Sequence, residues 1–210
     1  MSNAKFIVVE GLDGSGKGTQ IRMLAKALED QGHNIFLTSE PTQFATGGLV
    51  RDTLGHMTRR TPAELAGLFL ADRIAHCSNP TSGLKNMLEN GTTVICDRYY
   101  YSSFAYQGSL TDLSWVMHAN LDCPDILKPD LCIFLDVSPD ECDGRIEKGR
   151  ASREIYESLE AIKRTRAQYM NVFEMLPDHN IKIINAQRAP EEISKEVLQA
   201  VNEKIGRAHV

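Results

Sequence analysis

A glycine-rich stretch near the start of the chain has the residue types and spacing of a phosphate-binding loop. It reads Gly11-Leu12-Asp13-Gly14-Ser15-Gly16-Lys17-Gly18-Thr19. Successive backbone N–H groups of such a turn can point at a polyphosphate, and a helix that follows it adds a partial positive charge. Lys17 can reach the terminal phosphates as a point charge. The pattern departs from the usual G-x-x-x-x-G-K-[ST] at Gly18, because a hydroxyl residue follows only at Thr19.

A second chemically suggestive pair, Asp97-Arg98, ends the apolar run 93–96. The guanidinium of an arginine offers a fixed fork of donors that suits a phosphate. An aspartate beside it can order that arginine or hold a magnesium-bound water. A surface ion pair is the alternative for the two residues taken alone. Together with the glycine loop, they favour a second phosphate site.

The surrounding segments alternate between short apolar runs and amphipathic helices. Apolar runs predict strands at 6–9, 35–37, 93–96, 131–135 and 181–184. Six helices are predicted from start and stop signals. The first follows the glycine loop and ends near Gly32, the second starts at 61–64, and the third spans 84–89. The fourth starts at 138–141, the fifth spans 155–176, and the sixth starts at Pro190. This alternation predicts an α/β fold: a five-stranded parallel sheet with helices on both faces. Ligands of such folds gather at the carboxyl ends of strands, where the glycine loop, Glu40, Asp97 and Asp136 fall.

Composition limits the classes of function. The 210 residues carry a formal net charge of −5, so no basic field is present to bind nucleic acid without sequence preference. No apolar run reaches membrane-spanning length, and the N-terminus lacks a signal-peptide pattern. The five cysteines show no C-x-x-C spacing, which is typical of a reduced thiol-containing protein. We expect one cytoplasmic domain over 1–210, with neither nucleic acid nor membrane as a partner.

Four stretches in order resemble the thymidylate kinases, a family of P-loop nucleoside monophosphate kinases. Residues 97–108 are similar to the family's DRY-x-x-SS-x-AYQG segment, and 69–73 to its F-x-A-x-R helix. Glu40-Pro41 is similar to the E-P turn, and 129–137 to the PDL…LDV strand. The resemblance extends from Phe6 to about Val201.

The resemblance implies a P-loop NTPase fold with a mobile lid and ATP-dependent phosphorylation of dTMP to dTDP, in dTTP synthesis. It implies that the glycine loop, from Gly11 to Thr19, binds ATP together with Mg2+. It also implies a homodimer, formed by helices beside the acceptor site. The helix that carries Leu65 and Leu68 and a helix near Trp115 are the candidates for this interface.

The resemblance assigns the base end of dTMP to five side chains. Phe69 would stack on the thymine ring, and Arg73 would hydrogen-bond a base carbonyl. Ser103 and Gln107 would complete the polar edge of that pocket, with Ser102 supporting them. Taken alone, Phe69 is more often a core residue at such helical spacing, and Arg73 a solvated helix charge.

Five side chains are assigned to the sugar and the phosphate in the same way. Tyr106 would lie under the sugar, where a 2′-hydroxyl would crowd it. Asp13 would accept a hydrogen bond from the 3′-hydroxyl. Arg51 and Arg98 would hold the acceptor monophosphate, and Glu40 would help to orient that end of the site.

The charged segment late in the chain predicts a lid. Phosphoryl transfer requires cationic groups around the moving phosphoryl. Positions 12–15 of the glycine loop contain no Arg or Lys, whereas 145–153 is rich in both. We therefore expect a mobile lid at about 143–156 that supplies a cation, with Arg150 and Arg153 as candidates. A charged, solvated helix end is the alternative.

Lys17, Arg98 and Asp97 are the remaining catalytic candidates. Gly18 leaves the magnesium ligand open between Thr19 and Asp97, the latter through water. Alternative activities are another nucleoside or deoxynucleoside monophosphate kinase, a deoxynucleoside kinase and, more remotely, a nucleotide-dependent switch. A nucleoside kinase would have no use for two arginines, Arg51 and Arg98, poised for a monophosphate.

Overall fold

The computed structural model describes residues 4–149, 156 and 158–205. Its described residues form a five-stranded sheet in the order β2-β3-β1-β4-β5, and every neighbouring pair of strands is parallel. The strands are β1 (Phe6–Gly11), β2 (Ile35–Ser39), β3 (Thr93–Asp97), β4 (Leu131–Asp136) and β5 (Ile181–Asn185). The predicted number of strands and their parallel arrangement are therefore confirmed.

Helices lie between these strands and after the last of them. They are α1 (Lys17–Asp30), α2 (Ala45–Leu54), α3 (Pro62–Ser78), α4 (Leu84–Glu89), α5 (Tyr100–Tyr106), α6 (Leu113–Leu121), α7 (Pro139–Gly149), α8 (Leu159–Met175) and α9 (Pro190–Ile205). No helix in the described part of the chain combines the length and the apolar character needed to cross a membrane.

Two hydrophobic cores lie on opposite faces of the sheet, because successive strand side chains point to opposite sides. Ile7 and Val9 of β1 belong to the core that includes residues of α1 and α9. Phe6 and Val8 belong to the other, which includes residues of α5 and α8. Both faces of the sheet are thus covered, as the continuous apolar runs predict.

Helix α3 starts with the capping box that the sequence predicts. The Thr61 side chain accepts a hydrogen bond from the backbone N–H of Glu64, and the Glu64 carboxylate accepts one from the N–H of Thr61. Pro62 occupies the first helical position, where its missing N–H costs nothing. This capping box fixes where α3 starts, and α3 carries several of the candidate site residues.

Two differences from the sequence prediction have local causes. Helix α8 starts at Leu159 rather than at about 155, because the Ser158 hydroxyl caps it by accepting from the N–H of Ala161. Helices α2 and α5 escape prediction. The first contains Gly47-Gly48, which disfavours a helix, and the second buries aromatic side chains instead of showing an amphipathic pattern.

Candidate active site

A cleft of about 470 Å³ opens at the carboxyl ends of β1, β2 and β3. That volume suits a small-molecule ligand. The cleft brings together eleven predicted site residues: Asp13, Lys17, Glu40, Arg51, Phe69, Arg73, Asp97, Arg98, Ser102, Tyr106 and Gln107. Ser103 lies just behind this lining, where its hydroxyl accepts a hydrogen bond from Arg73.

The glycine loop wraps tightly between β1 and α1. Gly14 and Gly16 have φ angles of 80° and 92°, which side-chain-bearing residues rarely adopt. The buried ammonium of Lys17 donates to the carbonyl oxygens of Gly11 and Leu12, at 3.2 and 3.1 Å. Burial lowers the pKa of Lys17, and the nearby Arg98 lowers it further. The lysine therefore lies folded against its own loop, at the edge of the cleft.

Arg98 forms the other cationic wall of the cleft. Its Nη2 donates to Oδ1 of Asp13 at 2.7 Å, and its Nη1 to the Ser102 hydroxyl at 3.1 Å. The guanidinium carbon lies 5.2 Å from the ring centroid of Tyr106. Burial alone would lower the pKa of Arg98, but the negative charge of Asp13 and other neighbours raise it well above its ordinary value. The backbone of Arg98 has a φ of 68°, in the left-handed region.

Behind Arg98 lies Glu10, a fully buried carboxylate that the sequence reasoning missed. It accepts hydrogen bonds from the backbone N–H groups of Tyr99 and Ser102, at 2.9 and 3.1 Å. The hydroxyls of Ser102 and Tyr169 also donate to it, at 2.7 and 2.8 Å. Burial raises the pKa of Glu10. An acidic residue inside an otherwise apolar strand, directly before the glycine loop, was the available signal.

The two residues predicted to contact the base, Phe69 and Arg73, both lie on α3. Phe69 is half-buried and lines the cleft, so its ring is available for contact with a ligand and is not a closed core residue. Arg73 follows four residues later and is 1 % exposed, so a solvated helix charge is the wrong interpretation. Its Nε and Nη2 contact Oε2 of Glu40 at 2.8 and 2.6 Å, and its Nη1 contacts Oδ1 of Asn120 at 2.5 Å. Each guanidinium nitrogen thus has a protein partner.

Glu40 is held from two sides in this network. His76 Nδ1 lies 3.0 Å from Oε1 of Glu40, opposite the contact that Oε2 makes with Arg73. The other ring nitrogen of His76 lies 2.8 Å from the Thr38 hydroxyl. The buried Arg73 charge is therefore balanced by a carboxylate that is itself oriented by hydrogen bonds.

Tyr156 is a second cleft residue that was not predicted from the sequence. It belongs to the predicted lid segment, yet it lines the cleft. Its hydroxyl accepts from Nε2 of Gln107 at 3.3 Å, and its ring lies 5.2 Å from that of Tyr106 in an edge-on arrangement. Two of the predicted acceptor residues thus contact a residue of the lid segment.

The lid cations are described only in part. Arg150 and Arg153 lie outside the described residues. Arg145 on α7 donates from Nη1 to the carbonyl of Gly14 at 3.0 Å, and its Nη2 contacts Glu141 closely. A cation of the lid segment therefore reaches the glycine loop.

The two predicted magnesium ligands, Asp97 and Thr19, have different surroundings. The Oδ1 atom of Asp97 is buried and has no hydrogen-bond partner among the described residues, and Asp97 lines the cleft. The exposed Thr19 accepts a long hydrogen bond from Arg22 and does not line the cleft. The described residues contain no group of three or more His, Cys, Asp or Glu able to hold a metal. One free carboxylate oxygen fits Mg2+, which keeps several waters and takes substrate phosphates as ligands.

The glycine loop lies between β1 and α1, and its Lys17 shares a cleft with three arginines, Arg51, Arg73 and Arg98. Together with the parallel sheet, this arrangement places the protein in the P-loop kinase class. A sequence model of the family described as Thymidylate kinase matches residues 9–197. The chain belongs to the thymidylate kinase family.

Similar proteins from several organisms carry the same family name. A probable thymidylate kinase of Thermococcus gammatolerans is 37% identical over 209 residues, covering 95% of this chain and 97% of the relative. One from Methanococcus aeolicus is 38% identical over 205 residues, covering 95% and 97%. A thymidylate kinase of Desulfotalea psychrophila is 32% identical over 215 residues, covering 99% and 100%. The similarity therefore spans nearly the whole of each chain.

Proposed function

We propose that the protein transfers the γ-phosphoryl group of ATP to dTMP, giving dTDP and ADP. The observation that carries this proposal is that one cleft is lined by Lys17 of the glycine loop, by three arginines (Arg51, Arg73 and Arg98) and by the half-buried Phe69. These groups match a triphosphate donor, a monophosphate acceptor and an aromatic base. Family membership supports the same reaction.

The base of dTMP would bind at α3. Phe69 supplies a ring for offset stacking on thymine. Arg73 and Gln107 supply donors for the polar edge of the base, and Ser103 and Ser102 support them. Because the nitrogens of Arg73 already contact protein oxygens, this arginine is preorganised rather than mobile.

The sugar and phosphate would extend from there towards the glycine loop. Tyr106 would lie beneath the sugar, and Asp13 would accept from the 3′-hydroxyl. Arg51 and Arg98 would hold the monophosphate, with Glu40 orienting that end of the site. A nucleoside kinase would leave the two arginines without a ligand, so a monophosphate acceptor is favoured.

The transfer itself needs no strong base. An anionic oxygen of the acceptor phosphate forms a new bond to the γ-phosphorus, while the bond from that phosphorus to the β–γ bridging oxygen breaks. The leaving ADP takes the electron pair. Lys17, Arg98 and a lid cation offset the charge that spreads over the moving phosphoryl group. Arg150 and Arg153 remain our candidates for the lid cation.

Asp97 would hold Mg2+ directly or through water. When bound, the ion would neutralise part of the negative charge on the phosphates of ATP. Asp97 itself lies next to Arg98 in sequence, so the two residues bring opposite charges to the junction between donor and acceptor.

We also propose a homodimer that forms through α3 and α6. Trp115 and Leu121 on α6 are 44% and 37% exposed, and Leu110 just before this helix is 43% exposed. Large apolar side chains grouped at a surface often mark a protein interface. Analytical ultracentrifugation of the wild type and of Trp115→Glu tests this; a monomeric wild type would contradict it.

The test of the activity is an assay of ADP release with ATP and Mg2+, offering dTMP, dUMP, dCMP, dAMP, dGMP and thymidine separately. We expect rapid release with dTMP and weaker release with dUMP. Release with thymidine but not with dTMP would overturn the roles of Arg51 and Arg98. Slow hydrolysis that ignores every acceptor would favour a nucleotide-dependent switch.

A further inference from the structure

Asp72 is a buried carboxylate on α3 that neither the sequence reasoning nor the proposed chemistry uses. It is fully buried, between Phe69 and Arg73 in position but outside the cleft lining. No lysine or arginine in the described ranges forms an ion pair with it. A buried carboxylate without a cation must be satisfied by hydrogen-bond donors.

Two of the three donors come from Thr42, in the segment that joins β2 to α2, and the third comes from Thr46, in the first turn of α2. The backbone N–H of Thr42 donates to Oδ2 of Asp72 at 2.7 Å, and the Thr42 hydroxyl donates to Oδ1 at 2.6 Å. The hydroxyl of Thr46 donates to the same Oδ1 at 2.7 Å. Asp72 therefore holds Thr42 by both its main chain and its side chain.

Thr42 in turn contacts the arginine assigned to the acceptor phosphate. Its carbonyl oxygen accepts a close hydrogen bond from Nη1 of Arg51, and the carbonyl of Pro41 accepts a longer one, of 3.4 Å, from the same nitrogen. Arg51 lines the cleft. Thr42 is thus held by Asp72 and in turn holds Arg51 by hydrogen bonds.

We propose that Asp72 is the positioning residue of Arg51, acting through the Thr42 peptide. The inference rests on the proposed function, which assigns Arg51 to the acceptor monophosphate. An arginine side chain has many rotamers, and an unanchored one must be ordered when its ligand binds. Because Phe69 and Asp72 lie on the same helix, α3 sets both the base platform and the phosphate cation of the acceptor site.

The test compares ligands with and without the phosphate. Asp72→Asn keeps the size of the side chain, but its amide nitrogen no longer accepts from Thr42. On the full chain, calorimetric titration should show dTMP binding weakened by about tenfold, the scale of one charged hydrogen bond. Thymidine binding and the KM for ATP should stay within about twofold, because neither uses Arg51.

A double variant separates positioning from general structure. In an Arg51→Ala background, Asp72→Asn should weaken dTMP binding by less than about twofold, since the residue that Asp72 positions is already gone. Thr46→Val is the matched control: it removes a donor to Asp72 but leaves both bonds from Thr42, so it should weaken dTMP binding less than Asp72→Asn does. If Asp72→Asn does not fold, Thr42→Val takes its place with the same expected pattern.

Three results would overturn the inference. One is equal weakening of dTMP and thymidine, which would give Asp72 a purely structural role. Another is full additivity of Asp72→Asn and Arg51→Ala. The third is weakening by Arg51→Ala with no effect of Asp72→Asn, which would leave the proposed function standing. A wild type that binds no dTMP would overturn the proposed function and this inference together.

Discussion

The guanidinium of Arg98 and the carboxylate of Asp13 form an ion pair of 2.7 Å across the floor of the cleft. Asp13 lies in the glycine loop after β1, and Arg98 directly follows β3. These strands are neighbours, with Val9 opposite Asp97, and the N–H of Arg98 donates to the carbonyl of Val9. The register of β1 and β3 thus places a carboxylate of the glycine loop within hydrogen-bond distance of the arginine that follows β3.

Replacing Arg98 by lysine keeps the charge but removes the fork of donors. A lysine cannot contact Asp13, Ser102 and a phosphate with the same geometry. We expect kcat/KM for dTMP to fall by about 10- to 100-fold, the equivalent of losing one charged hydrogen bond. Steady-state kinetics at saturating ATP measure this, with Arg22→Lys on the exposed side of α1 as the control. Unchanged kcat/KM in Arg98→Lys would refute the role.

Phe69→Leu keeps an apolar side chain but removes the ring. Stacking adds about 0.5–1.5 kcal/mol beyond the buried area, so dTMP binding should weaken by about two- to twelvefold. Thymidine binding should weaken by the same factor, because Phe69 is assigned to the base. Calorimetry with both ligands tests this, and a loss confined to dTMP would contradict it. This outcome is the reverse of that expected for Asp72→Asn.

Because Gly47 has no side chain, the backbone of Thr42 can pack closely against it. A Cβ at this position would lie 2.0 Å from the carbonyl oxygen of Thr42, the acceptor for Arg51. We expect Gly47→Ala to destabilise the protein by about 1–3 kcal/mol and to weaken dTMP binding. Gly67→Ala, where no atom lies within 4 Å of the added Cβ, should be neutral or stabilising. Chemical denaturation of both variants makes the comparison; equal stabilities would contradict it.

The capping box of α3 predicts a dependence of stability on pH. Hydrogen bonds from Thr61, the backbone N–H first, lower the pKa of the exposed Glu64. A lowered folded-state pKa means that the ionised carboxylate stabilises the fold at neutral pH and that this contribution is lost as the pH falls. Thermal denaturation should show Glu64→Ala less stable than the wild type at pH 7. The difference should shrink below about pH 4.3, the ordinary glutamate pKa.

A matched control for this prediction is Glu29→Ala. Glu29 is exposed on α1, and only its backbone carbonyl, which the substitution keeps, takes part in the cap of that helix. Glu29→Ala therefore removes a surface carboxylate from a helix without removing a capping side chain. A Glu64→Ala difference that persists undiminished at pH 3 would mean that the carboxylate charge is not what stabilises the start of α3.

Local patterns were enough to predict much of this molecule. The glycine loop, the Asp97-Arg98 pair and the start of α3 depend on neighbours in sequence, and each was predicted from a few consecutive residues. Glu10 and Asp72 were missed because their partners are distant: Tyr169 is 159 positions from Glu10, and Thr42 is 30 from Asp72. The spacing of apolar residues along the chain does not indicate hydrogen bonds between residues so far apart in sequence. The sequence marks Glu10 as an acidic residue in an apolar strand, but the donors that satisfy its carboxylate are known only from the fold.

The left-handed backbone of Arg98 has a consequence for how this position can vary. A side-chain-bearing residue in that conformation is strained by about 1–2 kcal/mol, which glycine would relieve and asparagine would reduce. Glycine or asparagine at 98 would therefore suit the local backbone better than the arginine that is present. An arginine kept in a strained backbone conformation is expected where its side chain has a task, which agrees with the phosphate-binding role that we propose for Arg98.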